Sequence, residues 1–187
     1  MKKQLFCVLA VILMLSCSAL SEGAPFTFRN GVQFGMSMDQ VIACEGSEPG
    51  EHDFLKEDSP WECLEWYDVP VSRFSAQLNY IFNGDQLKLA VYDFYNRLHA
   101  DSGDVDYLKA AIDEVYGEGV ISEPEEILAI MNTLVPGLYN LDSFDYRYIW
   151  RLDGVRVILL SYENERSYSL MYVSDTMALS EYDTHGL

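Results

Sequence analysis

The stretch that decides the fold is FSAQLNYIFNGDQLKLAVYDFY, residues 74 to 95. Residues 74–82 alternate strictly between apolar and polar side chains, except that Ile81 lies between two aromatic residues. Such alternation predicts a β-strand with one buried face. Asn83-Gly84 follows, and this pair favours the two-residue turn of a β-hairpin because both turn positions need positive φ. Residues 87–95 then form the returning strand, and their apolar character on both faces indicates a central place in a sheet.

Three more strands are predicted in the last third of the chain. Aromatic and apolar residues alternate over 144–152, Asp153-Gly154 supplies a turn, and 155–162 returns. After a polar turn, residues 167–173 form a third run. Strands joined by short turns make an antiparallel meander. Its tyrosines are interpreted as cross-strand packing; they are Tyr146, Tyr148, Tyr162, Tyr168 and Tyr172.

A first helix is predicted directly after a short extended stretch at 26–34. Ser37 followed three residues later by Gln40 forms a capping box, in which each side chain bonds the other residue's backbone N–H. Gly46 is the natural C-terminal stop.

Two further helices are predicted between the hairpin and the meander. Asp104 caps one of them, apolar residues recur at helical spacing behind it, and Gly117 ends it. Ser122 and Glu125 form another capping box, which opens a third helix that Pro136 stops. Each helix has one apolar stripe, so both are expected to pack on a sheet.

The predicted fold class is α+β, an antiparallel β-sheet covered by helices on one face. The main domain covers residues 22–174, and 175–187 is a polar tail that frays. The segments 26–97 and 104–174 each begin with helix and continue into a tight hairpin with glycine. They are candidate halves of a weak tandem duplication.

Residues 46–73 are predicted to be a long excursion with at most one edge strand, at 62–67, because prolines and acidic residues dominate them. Trp61, Trp66 and Tyr67 interrupt the polar run and suggest a binding surface. Cys44 and Cys63 are the two cysteines outside the leader, and in an exported protein such a pair favours a disulfide. A Cys44–Cys63 bridge would pin this loop.

The first 21 residues have the layout of a secretory signal peptide. Lys2 and Lys3 precede an apolar run at 5–15, and small residues follow. Eleven apolar residues are too few for a membrane span, which needs roughly 20. Cleavage before Glu22 would release the chain. A cut before Cys17, which sits in a lipoprotein-like box, would leave a lipid anchor as the only attachment to a membrane. Both alternatives stay open, and either one places the protein in the cell envelope or outside the cell.

The charge excludes one class of partner. Lys2 and Lys3 are the only charged residues before Glu22, so removal of 1–21 changes the formal net charge from −18 to −20. A body this acidic repels phosphate backbones and anionic membranes. A nucleic-acid-binding function is therefore not expected, and partners should be neutral or basic.

The opening of the first predicted helix resembles a known family. Gly35-Met36-Ser37, with Val41, Gly46 and Pro49 behind it, is similar to the helix-opening signature of small exported lipoproteins of the SmpA/OmlA (BamE) type, whose fold recurs in tandem in beta-lactamase-inhibitor proteins. Tyr116-Gly117 resembles the pair that closes helices in such domains. The resemblance implies helices packed on an antiparallel sheet and a protein-binding role in the envelope. It carries no binding residue over to this chain.

The sequence contains few patterns that indicate a catalytic site. The chain has no Gly-x-Ser-x-Gly elbow, and its histidines are His52, His99 and His185. No motif in the sequence indicates a metal or a cofactor. Glu62 and Glu65, beside the tryptophans, are candidates for a glycosidase-like carboxylate pair. Our leading hypothesis is a non-catalytic module that binds a protein or a glycan through Trp61, Trp66 and Tyr67, and the alternative is a carboxylate-based envelope hydrolase.

Overall fold

The fold, in a computed structural model, is α+β as the sequence predicts. The structure describes residues 25–56, 59–94, 102–136, 144–162 and 167–177. Eight antiparallel strands form one sheet, and they are β1 Glu51–Phe54, β2 Trp61–Val71, β3 Phe74–Asn83, β4 Leu87–Phe94, β5 Val120–Ile121, β6 Phe144–Leu152, β7 Val155–Tyr162 and β8 Tyr168–Ser174. The α-helices are α1 Met38–Glu45, α2 Ser102–Tyr116 and α3 Pro124–Leu134, with a 3₁₀ turn at Arg29–Gly31.

The central hairpin is confirmed, with its turn one residue further along than predicted. Asn83 and Gln86 exchange backbone hydrogen bonds of 3.0 and 3.3 Å. Gly84 and Asp85 are therefore the two central residues, and both have a φ of 57°. Positive φ at both positions is the requirement of the turn that matches strand twist, and Asp adopts it more easily than most non-glycine residues.

Residues 46–73 are not a long loop, and this part of the prediction is wrong, although the strand predicted at 62–67 is present within β2. Most of the segment forms β1 and β2, which lie at one edge of the sheet. All four residues of β1 are exposed, so the strand has no buried face and no apolar alternation to reveal it. Pro70 pairs with Ser75 near the end of β2, beyond a register shift between Trp66 and Val69.

The helices follow their predicted positions, but two predicted caps differ. Helix α2 begins at Ser102, so Asp104 lies within its first turn and is not its cap as predicted. Gln40 N donates to Ser37 Oγ at 3.3 Å and Ser37 N donates to Gln40 Oε1 at 2.9 Å, which confirms the first capping box. The second capping box is wrong: α3 begins at Pro124 after Glu123, whose side chain makes no cap hydrogen bond. Proline suits the first helical position because its missing N–H would have no partner there.

Helices cover both faces of the sheet, whereas the sequence analysis expected one. Alternate residues of β7 belong to two separate cores: Val157 and Leu159 pack with α1 and α2, and Ile158 and Leu160 pack with α3. We call these the first core and the second core. Because side chains alternate along a strand, the two cores lie on opposite faces.

The strand order across the sheet is β1-β2-β3-β4-β8-β7-β6-β5. The predicted meander is confirmed, and β8 joins it to β4 at the centre. The first four strands thus run inward from one edge and the last four run inward from the other. Such mirrored order is what a duplication of 26–97 and 104–174 would leave, and the duplication itself stays a prediction. Met177 of the predicted tail is buried, and 178–187 lie outside the described residues.

Candidate ligand-binding cavity

The three aromatic residues predicted to form a binding surface are not brought together. Trp61 is 6% exposed in the second core, and Trp66 is 7% exposed in the first core, on the opposite face. The indole N–H of Trp66 donates to Ser47 Oγ at 3.1 Å. Only Tyr67 is open to solvent, with 50% of its surface exposed. The two tryptophans are core residues because β2 is a paired strand rather than a loop.

The predicted Cys44–Cys63 disulfide is absent, and both cysteines are free thiols. Cys44 on α1 packs against the first core, whereas Cys63 belongs to the second core. The sheet therefore separates them. Burial raises the pKa of Cys63 to about 12, with nearby carboxylates adding to the effect. Its thiol stays protonated at neutral pH and is a poor nucleophile.

Glu62 and Glu65 also lie on opposite faces of β2. Glu62 accepts from His52 Nε2 at 3.1 Å on one side. Glu65 accepts from the Tyr67 hydroxyl at 2.9 Å and from the Gln77 amide at 2.7 Å on the other. Two carboxylates that point to opposite faces cannot flank one glycosidic bond. These residues thus do not form the predicted pair.

Several predicted features fall outside the described residues. They are the signal peptide at 1–21 with Cys17, the tail beyond Met177, and His99 and His185. Within the described ranges, no cluster of three or more histidine, cysteine or acidic side chains is arranged to hold a metal ion. Of the helices in those ranges, none has the length and hydropathy that a membrane span requires.

The most site-like feature is a partly enclosed cavity of about 380 Å³ between α2 and the sheet. Its walls come from α2, from β4 and β8, from the end of β2 and from the N-terminal residues before the 3₁₀ turn. Most of the wall is apolar, and Phe26, Phe28, Leu108, Ile112 and Leu170 contribute to it. Small-molecule sites have this order of volume, about 300 to 1,000 Å³, and this kind of lining.

A small residue on α2 helps to keep the space open. Ala111 is half-buried at the middle of the helix, between Leu108 and Ile112, and lines the cavity. A methyl side chain reaches too short a distance to touch the sheet where a leucine would. The helix therefore stands over the sheet without filling the volume beneath it.

A polar end interrupts the apolar wall. The hydroxyls of Tyr92 and Tyr172 and the guanidinium of Arg29 line the cavity. Tyr172 shares a hydrogen bond with Tyr116, and burial raises its pKa well above the usual value. Tyr116 lines the cavity as well, so the polar groups of Arg29 and of three tyrosines are gathered at one part of its wall, which provides a place for a polar group of a ligand.

An ion pair stands behind this polar end. Arg29 Nε lies 3.2 Å from Glu45 Oε2, and the Glu45 side chain is only 2% exposed. The hydroxyl of Tyr80 donates to Glu45 Oε1 at 2.7 Å, and the amide of Asn30 donates to Oε2 at 2.9 Å. Both carboxylate oxygens are thus satisfied, as a buried charge requires. The pair fixes the 3₁₀ turn against α1 beside the cavity.

Both ends of α2 are fastened to the sheet. At its N-terminal end, Arg73 forms an ion pair with Asp104 and stacks over the Tyr107 ring at 4.1 Å. At its C-terminal end, Trp150 Nε1 donates to Asp113 Oδ1 at 3.0 Å and to the Gly117 carbonyl at 2.9 Å. A rigidly held helix above an unfilled space preforms a cavity.

A second polar feature crosses the opposite face. Asp93 accepts from the Asn79 amide at 2.7 Å and from the Ser169 hydroxyl, and Gln77 links Asn79 to Glu65. Burial raises the pKa of Asp93 to about 6, although its two hydrogen bonds oppose the shift. This row ties β2, β3, β4 and β8 together. It is a buried network rather than an open site, since Asn79 and Asp93 are both 8% exposed.

The sequence does not predict the cavity, because Tyr172 is interpreted as sheet packing and the α2 stripe as an ordinary helix face. One signal is present: Ala111 lies beside the large buried residues Leu108 and Ile112 in the middle of the helix. The fold and cavity together define an α+β protein with a preformed interior space of ligand size. No family model, curated protein or solved structure matches the chain.

Proposed function

We propose that this chain is a non-catalytic binding module, exported to the cell envelope or beyond it, that holds a small and largely apolar ligand beneath α2. The observation that carries the proposal is the cavity of about 380 Å³ with its apolar wall and polar end. A concave, mostly apolar pocket of this volume with a few polar groups is the usual form of a small-molecule site. An apolar ligand bound there would remove the apolar wall from water.

Binding fits the polar groups of the cavity better than catalysis. They are tyrosine hydroxyls, Glu114 at the rim on α2, and Arg29, whose charge is balanced by Glu45. General acid–base chemistry needs a group whose pKa lies near the working pH. Burial raises the pKa of Tyr92 and Tyr172 further above neutrality, so their hydroxyls are donors and not bases.

Ligand binding can be tested with the neutral fluorescent probe N-phenyl-1-naphthylamine and the protein purified as the cell produces it. We expect the fluorescence of the probe to rise on binding to the wild type and to stay low with Ala111→Phe, which fills the cavity. Ala129→Phe is the matched control, since Ala129 is a half-buried alanine on α3, across the sheet. Equal binding by all three proteins, or by none, would contradict the proposal.

Export is supported by the charged start, apolar run and small residues of 1–21. Mass spectrometry of the mature N-terminus tests it. A chain that starts at Glu22 would indicate release, and a diacylglyceryl group on Cys17 would indicate a lipid anchor. An intact leader on the protein in its native cell would contradict both forms. The resemblance to SmpA/OmlA (BamE)-type domains favours an envelope role and stays a prediction.

A protein or glycan partner is the second candidate, and the exposure of Tyr67 favours it. Its hydroxyl donates to Glu51 and Glu65 at 2.7 and 2.9 Å, which holds the ring at the edge of the sheet. Tyrosine is enriched in protein contacts and stacks on sugar rings. Capture experiments with envelope extracts and glycan arrays should therefore depend on Tyr67. A partner that survives Tyr67→Ala would remove this residue from the candidate surface.

A further inference from the structure

The hydroxyl of Tyr92 differs from the others near the cavity. Tyr80 donates to Glu45, Tyr107 shares a hydrogen bond with Ser72, and Tyr172 shares one with Tyr116. Tyr92 is 7% exposed and lines the cavity. Its hydroxyl makes no hydrogen bond within the described part of the chain, yet it is not among the fully buried polar atoms there, so it is open to the cavity. A ligand that displaces water from this hydroxyl without accepting its hydrogen bond loses affinity, so a ligand with an acceptor at this place is favoured.

The charges around Tyr92 decide which acceptor fits. Both Arg29 and Glu45 act electrostatically on its hydroxyl, in opposite directions. Because the Arg29 guanidinium is already paired with the almost fully buried Glu45, a ligand carboxylate would add a second negative charge with no free counter-charge. Burying an unbalanced charge is far more costly than burying a neutral polar group. Glu114 at the rim adds to the repulsion.

We propose that the cavity selects an uncharged amphiphile, with a carbonyl or alcohol oxygen that accepts from the Tyr92 hydroxyl and an aliphatic body between α2 and the sheet. The body lies against Leu108, Ile112 and Leu170, and Phe26 and Phe28 cover it from the N-terminal segment. The neutral head, rather than chain length, is what the site discriminates. This inference rests on the proposed function, since it assigns the ligand class of the same cavity.

Displacement of N-phenyl-1-naphthylamine by three ten-carbon ligands tests the inference. We expect decan-2-one and decan-1-ol to displace the probe at lower concentrations than decanoate at pH 8, by about tenfold or more. Tyr92→Phe should weaken the ketone and the alcohol by about tenfold, the size of one neutral hydrogen bond, and leave decanoate and the probe unchanged. Tyr148→Phe, which removes a hydroxyl on β6 outside the cavity, is the matched control and should change nothing.

The possible results distinguish failure of the ligand-class inference from failure of the proposed binding function. If the probe binds but decanoate competes as well as the ketone or better, Arg29 anchors a carboxylate and the inference is overturned while the cavity remains a binding site. If Tyr92→Phe leaves the order and affinities as they are, the hydroxyl has no role and the inference is again overturned. If the probe fails to bind the wild type, both the proposed function and the inference that rests on it are contradicted.

Discussion

The helices on the two faces of the sheet fill their space to different degrees. α3 places five large apolar side chains in the interior, and they are Ile127, Leu128, Ile130, Met131 and Leu134. α2 is longer, yet its fully buried residues are only Val105, Leu108 and Ile112, and two alanines stand beside the cavity. Helix α3 therefore completes the second core, whereas α2 forms one wall of the cavity. The face with the tightly packed helix and the face with the proposed ligand-binding cavity are thus opposite faces of the same sheet.

The difference extends to the chemistry of the two cores. The first core is rich in aromatic rings, among them Phe28, Tyr80 and Tyr92, which make edge-to-face contacts. The second core is mainly aliphatic along β7 and β8, where Ile158 and Met171 pair. Branched aliphatic side chains interdigitate closely, so a gap on that face would cost more.

The largest expected effect compares one isoleucine from each core. Ile158→Ala removes a side chain with no exposure from the second core and should lower the free energy of unfolding by about 4 kcal/mol. Ile112→Ala, at the wall of an existing cavity, should lower it by about 2 kcal/mol, because fewer contacts are lost. Urea unfolding measures both. Equal losses would mean that the first core is packed as tightly as the second.

The next effect concerns the buried carboxylate of the α3 face. The pKa of Asp93 is about 6 in the folded protein, against 3.8 for the free side chain, so the folded state binds more protons between these values. The contribution of Asp93 to stability should therefore be largest below pH 4, fall as the pH rises from 4 to 6, and stay level above that range. The full change is at most about 3 kcal/mol.

Asp93→Asn should remove this pH dependence, because an amide does not ionise in the range. The measurement is the difference in unfolding free energy between the wild type and the variant at pH 4.5 and at pH 7.5, with Asp153→Asn in an exposed turn as control. A difference that does not change with pH would show that Asp93 is ionised throughout and that its hydrogen bonds outweigh its burial.

Much of the fold could be predicted because its central strands are strongly patterned. The alternation in β3 and the turns at Gly84 and Gly154 placed the hairpin and the meander within one or two residues. Strand β1 was not predicted, because an exposed edge strand has no hydrophobic period and its acidic residues are typical of a loop. The tryptophans were then misplaced with it, since Trp61 and Trp66 look exposed only if β2 is not paired.

The candidate site depends on contacts between elements that are distant in sequence, and local sequence patterns do not contain this information. Apolar residues on both faces of β7 indicate two covered faces, but they do not say which helix covers which face. Ala111 of α2 and Tyr92 of β4 both line the cavity, and only the complete fold brings them to the same site. The disulfide prediction failed for the same reason, because Cys44 and Cys63 are close in sequence yet separated by the sheet.

The fastening of α2 gives a smaller effect. A Cβ atom on Gly119 would lie 2.3 Å from the Trp150 ring, and that ring is held by Asp113 and the Gly117 carbonyl. Gly119→Ala should therefore cost about 2 kcal/mol, as overpacking of a buried ring does. Gly154→Ala, where the new methyl meets nothing within 4 Å, should cost about 1 kcal/mol from its left-handed backbone alone. A smaller loss for Gly119→Ala than for this control would show that Trp150 can move and that the end of α2 is loose.

The smallest effects compare the helix starts on the two faces. α1 has a complete capping box, so Ser37→Ala should lower the free energy of unfolding by about 1 kcal/mol. α3 begins after Glu123 without a side-chain cap, so Glu123→Ser should raise it by about 0.5 kcal/mol, since serine can bond the free N–H groups of the first turn. Both changes are read from urea midpoints at constant slope. If Glu123→Ser has no effect, Pro124 already orders the start of α3 well enough, and the packing of its five inward side chains alone accounts for the stability of that face.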